Sequence, residues 1–267
     1  MKKIILMLAV MLMAASCTQS KAPKYLVLYY SETGNTKAVA QEISSRLGAD
    51  IEEVTLVEPY EGTFQEINAR YAKERQPGML PKLNPLTHDI KDYDVIFVGY
   101  PIWSSTHAIP AASLFNYVDF SGKKVVPFCT YNRGGLENSI KDIKTEIPAA
   151  EVLPGYGVRA SRLDAMPAEI DHFLKEGGFL EGDYVKYDDF SGPSPVTEEE
   201  SAIFDAAMAD YRLAQTKALN VASRAVIGGT EYLFEGEATG RDNAARPIKV
   251  YVLKEDGKQP VYTRVEM

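Results

Sequence analysis

The fold is decided by the stretch YLVLYYSETGNTKAVAQEI, Tyr25 to Ile43. It opens on an apolar run of β type, Tyr25 to Tyr30, and closes on a helical repeat that begins at Asn35. Between the two lie Ser31-Glu32-Thr33-Gly34-Asn35-Thr36. A strand handed directly to a helix through small polar residues is the start of a βαβ unit. The hinge offers the hydroxyls of Ser31, Thr33 and Thr36, a glycine that permits tight backbone geometry, and the free N–H groups of a first helical turn. Such a nest suits a phosphate. The same residues also serve as plain helix caps, because Ser, Thr and Asn side chains accept from first-turn amides. The hinge alone does not separate these two roles.

Outward from this stretch the pattern repeats. Strands are expected at Tyr25 to Tyr30, Ile51 to Val57, Val95 to Tyr100, Val125 to Thr130 and Glu151 to Arg159. Helices are expected at Asn35 to Leu47, Phe64 to Arg75, Pro110 to Tyr117, Leu136 to Thr145 and Pro167 to Lys175. Most of the strands are nearly continuous in apolar residues, as strands covered on both faces must be, so the sheet is expected to be parallel. Right-handed crossovers then give an α/β, doubly wound, five-stranded sheet with helices on both sides. The longest connection, Gln76 to Asp92, holds several prolines and reads as an ordered loop into the third strand.

For strand order 2-1-3-4-5, ligands bind beyond the carboxyl ends of the strands, between strands one and three. The loops after strands one, three and four should therefore share one ligand. After the third comes Gly99-Tyr100-Pro101-Ile102-Trp103-Ser104-Ser105, with the single tryptophan of the chain. After the fourth comes Cys129-Thr130-Tyr131-Asn132-Arg133-Gly134-Gly135, with a second aromatic and two glycines that let backbone come close. A phosphate nest flanked by aromatic loops describes a site for a flat, phosphorylated ring system. No GxxxxGK[ST] run and no GxGxxG is present, which disfavours nucleoside triphosphates and dinucleotides. A net charge of −8, with no basic stripe, argues against nucleic acid as a partner.

Together SETGNT, GYPIW and CTYNRGG resemble the flavodoxin family, in particular its bacterial flavodoxin-like branch, over Lys24 to Phe179. The resemblance implies noncovalent binding of flavin mononucleotide (FMN). It implies that Ser31, Thr33, Gly34, Asn35 and Thr36 take the phosphate, that Pro101, Ile102 and Trp103 flank the isoalloxazine ring, and that Thr130, Tyr131, Gly134 and Gly135 close its other side. Glu32 is expected to face solvent. Asn132 and Arg133 depart from the family's glycine-rich pattern, and Arg133 is expected near the pyrimidine edge of the ring. Trp103 and Tyr131 each have an alternative role in core packing. His107 follows the tryptophan loop and reads as structural or solvent-exposed rather than as a proton donor or substrate contact; His88 and His172 are distant in sequence and Cys129 has no second thiol nearby, so neither a metal site nor a cysteine–histidine nucleophile is expected.

The two ends carry separate messages. Residues 1–17, MKKIILMLAVMLMAASC, have lysines, an apolar run and small residues in the order of a signal peptide. Ala14-Ala15-Ser16-Cys17 resembles the bacterial lipoprotein processing box, although Ala14 stands where that box more often has Leu, and plain secretion is the alternative. The resemblance implies lipidation at Cys17, a tether over residues 18–24, and anchoring to a bacterial membrane in the cell envelope, on its periplasmic side.

A flavodoxin-like domain over residues 25–180 is expected to lead through a polar linker, 181–196, to a small α+β domain over 197–267. That domain should hold a helix along TEEESAIFDAAMADYRLAQTKAL from Thr197, then strands at Asn220 to Val226, Glu231 to Glu237, Ile248 to Leu253 and Val261 to Val265. Arg224 to Tyr232, RAVIGGTEY, resembles a hairpin of the cystatin-like fold. Arg224 replaces that family's glutamine and the turn at Asp256-Gly257-Lys258 has no Pro-Trp pair, so a role in docking a protein partner or substrate fits better than protease inhibition.

The expected function is that of an exported, lipid-anchored flavodoxin-like protein that binds FMN and transfers electrons, its donor and acceptor unspecified. An FMN-dependent NAD(P)H:quinone-type reductase would use the same pocket, and a flavin-free binding or inhibitor module is the third possibility.

Overall fold

The computed structural model describes residues 22–76 and 78–267; the expected leader, Cys17 and most of the tether lie outside them. Chain order is β1 (Tyr25–Tyr29), α1 (Asn35–Leu47), β2 (Asp50–Glu53), α2 (Phe64–Glu74), β3 (Val95–Trp103), β4 (Thr106–His107), α3 (Ile109–Tyr117), β5 (Lys124–Tyr131), α4 (Leu136–Glu146), β6 (Glu151–Val152), β7 (Tyr156–Arg159) and α5 (Met166–Glu176). There follow β8 (Ser194–Pro195), α6 (Glu198–Met208), β9 (Gln215–Val226), β10 (Gly229–Thr239), β11 (Ala245–Glu255) and β12 (Val261–Glu266).

The first sheet runs β2-β1-β3-β5-β6, all parallel, with β7 continuing on the same edge of β5 and β4 turned back antiparallel on the end of β3. Side-chain alternation along the central strands sets both faces. Leu26, Leu28, Ile96, Val98 and Tyr100 point to the side covered by α3 and α4, where Leu114, Phe115 and Ile143 meet them. Val27, Tyr29, Phe97, Val126 and Phe128 point to the side of α1 and α5, against Val39, Ile43, Ile170 and Leu174. This is the doubly wound arrangement that the alternating pattern requires.

The expected second strand is cut short and the expected fifth is divided, for local reasons. β2 leaves the sheet after Glu53, and Leu56 bridges instead to Leu83, with Val57 N donating to Lys82 O (2.9 Å) and Asn84 N to Thr55 O (2.9 Å). The long loop is thereby held by backbone bonds. The fifth strand is divided into β6 and β7 by Leu153-Pro154-Gly155, opposite Pro127 of β5. Two prolines that cannot donate to the ladder meet there, so pairing lapses and resumes.

Residues 194–266 form a second, antiparallel sheet of order β12-β11-β10-β9-β8 with α6 packed on it, Phe204 of the helix lying edge-on to Phe234 at 5.1 Å. Thr197 opens α6 with a capping box to Glu200. The helix ends at Met208, well short of the expected Leu219, and Gln215 to Ala218 pair with Gly236 to Thr239 of β10. Ala, Leu, Gln and Lys favour helix locally, by at most about 0.7 kcal/mol per residue, and a fully paired strand outweighs that. Leu219 is the unpaired residue where the register shifts, and it points to solvent. Between the sheets the connecting segment is tied down: Tyr187 stacks on His172 at 4.4 Å, and Ser191 N donates to Ser223 O (2.9 Å).

Gly99, in the middle of β3, tests the first core. A Cβ there would sit 2.1 Å from Cζ of Phe128, a ring wholly removed from solvent. Gly99→Ala is expected to destabilise the protein by about 1–3 kcal/mol through overpacking, read as a lower urea midpoint with an unchanged slope.

Candidate functional site

The carboxyl ends of β1, β3 and β5 lie side by side, their loops at one rim. Tyr30 N donates to Gly99 O (2.9 Å), and Pro101 of β3 is paired with Thr130 of β5. At the first loop, the N-cap residue of α1 is Gly34 in the left-handed region, φ 86°, which has no side chain to cap the helix. An added Cβ at Gly34 would meet nothing within 4 Å, so the open side of the turn faces free space. Ser31 Oγ accepts from Lys37 N (3.2 Å), and the amides before Lys37 have no acceptor within the helix. These amides lie at the positive end of the helix dipole.

The remaining hinge residues divide by role. Thr36 is buried and its hydroxyl pairs with that of Thr130 at 2.8 Å, which ties the first loop to the end of β5. Thr33 and Glu32 are exposed, and Glu32 also accepts a hydrogen bond from the Tyr30 hydroxyl. Asn35 is half-buried at the first helical position.

The second loop is a hairpin that the sequence did not announce. β3 runs three residues beyond the expected Tyr100, to Trp103, and turns through Ser104 (φ 50°) and Ser105 (φ 69°) into β4. Two consecutive left-handed residues suit a primed hairpin turn, which normally takes Asn or Gly. Serine in both places stores backbone strain of about 1–3 kcal/mol each, at the edge of the site.

Ile102 and Trp103 both pack against the first core cluster but have different neighbours. Trp103 enters an aromatic cluster, with Tyr60 and Tyr71 edge-on at 5.5 Å and Tyr30 at 6.0 Å. The Tyr60 hydroxyl bonds Glu74, which is paired with Arg70 at 2.7 Å, and the guanidinium of Arg70 lies 4.4 Å over the Tyr60 ring. Ile102 instead lines a cleft of about 160 Å³ together with Ser104, Ser105, Tyr131, Arg133, Gly134 and Gly135. The structure thus brings Ile102, Tyr131, Gly134 and Gly135 to one cleft, while Trp103 packs apart from its lining and Pro101 and Thr130 sit behind it in the sheet. Tyr131 is buried, donates to Gly157 O (3.1 Å), and has its hydroxyl pKa pushed far up by burial. Burial likewise pushes up the Cys129 thiol, which packs in the core. His107 is buried too, bonded to Glu146 at 3.1 Å between Tyr100 and Phe115.

Sequence reasoning missed the far wall of this cleft: Tyr211, Val265, Glu266 and Met267. They belong to the second unit and carry no motif. Gly134 and Gly135 explain the docking. A Cβ on Gly134 would lie 2.2 Å from Val265 O, and one on Gly135 2.7 Å from Ile102 Cγ2. Val265 N donates to Arg133 O (2.9 Å), and the Gly135 amide donates to Glu266 Oε1 (3.3 Å). Arg159 donates to the carbonyls of Asn132 (3.0 Å) and Tyr262 (2.8 Å), its guanidinium 3.6 Å over the Tyr262 ring. Arg264 lies 3.9 Å over Tyr251 and reaches Glu137 at 3.2 Å and Glu266 at 3.6 Å.

A doubly wound parallel sheet of order β2-β1-β3-β5-β6, with its loops gathered at the carboxyl ends of the strands, defines the flavodoxin-like class of α/β proteins; the cleft lies between the β3 hairpin and the β5 loop, and residues 31–36 do not line it. The chain belongs to the flavodoxin family, whose model matches residues 24–173. Among solved structures it is similar to a flavoprotein from Bacteroides eggerthii, 28% identical, with 56% of this chain and 96% of that one covered at a TM-score of 0.49. A flavoprotein from Bacteroides uniformis is 23% identical, with 57% and 99% covered and a TM-score of 0.51. A Lactobacillus acidophilus flavoprotein in complex with FMN is 24% identical, with 54% and 99% covered and a TM-score of 0.47. No curated protein matches the chain.

Glu266 carries a titration signature. Its pKa is raised by burial, only partly offset by the Gly135 amide and Arg264. The unfolded chain gives up this proton first, so as pH rises past the ordinary carboxylate value of about 4.3 the folded state binds more protons and loses stability. Glu266→Gln, which mimics the protonated form, is expected to match wild type at low pH and to exceed it increasingly as pH rises to neutrality, in urea melts at a series of pH values.

Proposed function

We propose that this protein binds FMN noncovalently and transfers electrons, exported and anchored to a membrane of the cell envelope through a lipidated Cys17. The observation that carries the cofactor assignment is the first turn of α1. It begins at Gly34, just beyond the carboxyl end of β1 in a flavodoxin-family sheet, with no side-chain cap from that residue and open space beside it. An acidic protein can hold a phosphate there because the donors are fixed dipoles and hydroxyls, and no cation is required.

Ser31, Thr33, Gly34, Asn35 and Thr36 would hold the phosphate. Ile102 of one loop and Tyr131, Gly134 and Gly135 of the next would border the ring, with Pro101 and Thr130 behind them and Trp103 bracing the β3 hairpin from its aromatic cluster. Bound FMN supplies hydride and single-electron chemistry, and the protein supplies orientation and electrostatics. Arg133, exposed at the cleft, favours negative charge on a reduced ring. Export and anchoring rest on residues 1–17 alone, with their apolar run and Ala-Ser-Cys ending. The second unit reads as cystatin-like: one helix packed on an antiparallel meander, β9 to β12, in that fold's order.

Mixing the purified protein with FMN is expected to give a bound flavin spectrum and quenched flavin fluorescence. Thr33→Glu, an exposed change that places a carboxylate in the nest, should weaken FMN by tenfold or more, about 1.4 kcal/mol, while leaving riboflavin binding unaltered. Equal loss for both ligands, or none, would remove the phosphate assignment. Arg133→Ala should lower the midpoint potential of the bound flavin in potentiometric titration.

A further inference from the structure

The second unit does more than neighbour the cleft. Its last strand lies along the 131–135 loop, and Val265, Glu266 and Met267 form one wall of the space that Ile102 and Tyr131 line opposite. The space left is about 160 Å³. Sites for small molecules of ordinary size run from roughly 300 Å³ upward. Where the β3 hairpin and the β5 loop were each expected to face a planar ring, Gly135 is instead in contact range of Ile102 and of Ser105 O.

The polar contacts indicate what the strand does there. Gly135 is the N-cap residue of α4, in the left-handed region at φ 115° and with no side-chain cap of its own. Its amide therefore seeks an outside acceptor, and a residue 131 positions away provides one: Glu266 Oε1, at 3.3 Å. Arg264 steadies that carboxylate from the far side at 3.6 Å and is itself held by Glu137 at 3.2 Å. Val265 is paired with Val250 and buried against the second core. Glu266 is the final paired residue, opposite Lys249, and the register shifts between Tyr251 and Val252. Terminal pairs of this kind open at small free-energy cost.

We infer that the C-terminal strand is an intramolecular competitor for the cleft: Glu266 occupies the Gly135 amide and Val265 to Met267 take the place of part of the ring of a bound flavin. This rests on the FMN assignment above. Full entry of the ring requires the last residues of β12 to lift from the loop, which breaks the Gly135–Glu266 and Arg133–Val265 hydrogen bonds and leaves the rest of the second sheet in place. The second unit then sets how readily the cofactor site fills, and a ligand or partner that draws β12 away would open it.

The test is a fluorescence titration of the full chain with FMN and, in parallel, with riboflavin, for wild type, Glu266→Ala and Glu266→Gln. Glu266→Ala is expected to bind both flavins more tightly, on the order of tenfold, the scale on which a charge-assisted hydrogen bond counts. Glu266→Gln, which keeps an acceptor for the Gly135 amide, should bind both flavins more weakly than Glu266→Ala. Amide exchange at residues 133–136 without flavin should be faster in Glu266→Ala than in wild type, an effect that loss of a remote charge would not produce. Unchanged or weaker binding by Glu266→Ala overturns the inference, as does a gain confined to FMN, which would mark simple charge repulsion of the phosphate. Absence of saturable binding of either flavin by all three proteins would instead overturn the FMN assignment itself.

Discussion

Everything in the first unit follows from a parallel ladder whose central strands are apolar on both faces. β1, β3 and β5 share register from Tyr25 and Val95 at one end to Pro101 and Thr130 at the other, and Leu28, Phe97, Val98, Val126 and Phe128 are shut off from solvent. A sheet with two apolar faces must be covered on both, so the chain has to cross over with a helix at every step. Those crossovers bring every strand's carboxyl end to one rim. The hinge of α1, the β3 hairpin and the β5 loop meet there because the core leaves them nowhere else to go.

The central strands were legible because both sequence periods and their punctuation agreed. α1 is bounded as its letters say, by Gly34 and Gly48, both in the left-handed region. α6 was legible at its start, where Thr197 and Glu200 form a capping box, and illegible at its end. Gln215, Lys217 and Ala218 have helix-forming side chains and become strand because β10 is there to pair with them. That partner is remote information, absent from any local window.

The site divides in the same way. Ser31 to Thr36 announce themselves because an anion nest needs small donors next to a glycine. The two glycines of CTYNRGG were legible as places of close approach, but not what approaches: Ile102 for one and the backbone of Val265 for the other. Trp103 drew notice as the single indole, yet it packs edge-on with Tyr60 and Tyr71, and Ile102 lines the cleft. Val265 and Glu266 had no signature, since a carboxylate at the end of an edge strand is ordinary until folding sets it on a glycine amide more than a hundred residues away.

The close seating of Val265 on Gly134 means that the two units cannot be studied as if they were merely strung together. A fragment ending before the second sheet would expose Gly134, Gly135 and one face of Tyr131 to water, and would leave Arg159 without the aromatic ring it covers. Whatever such a fragment bound, it would bind through a surface that β12 covers in the whole molecule.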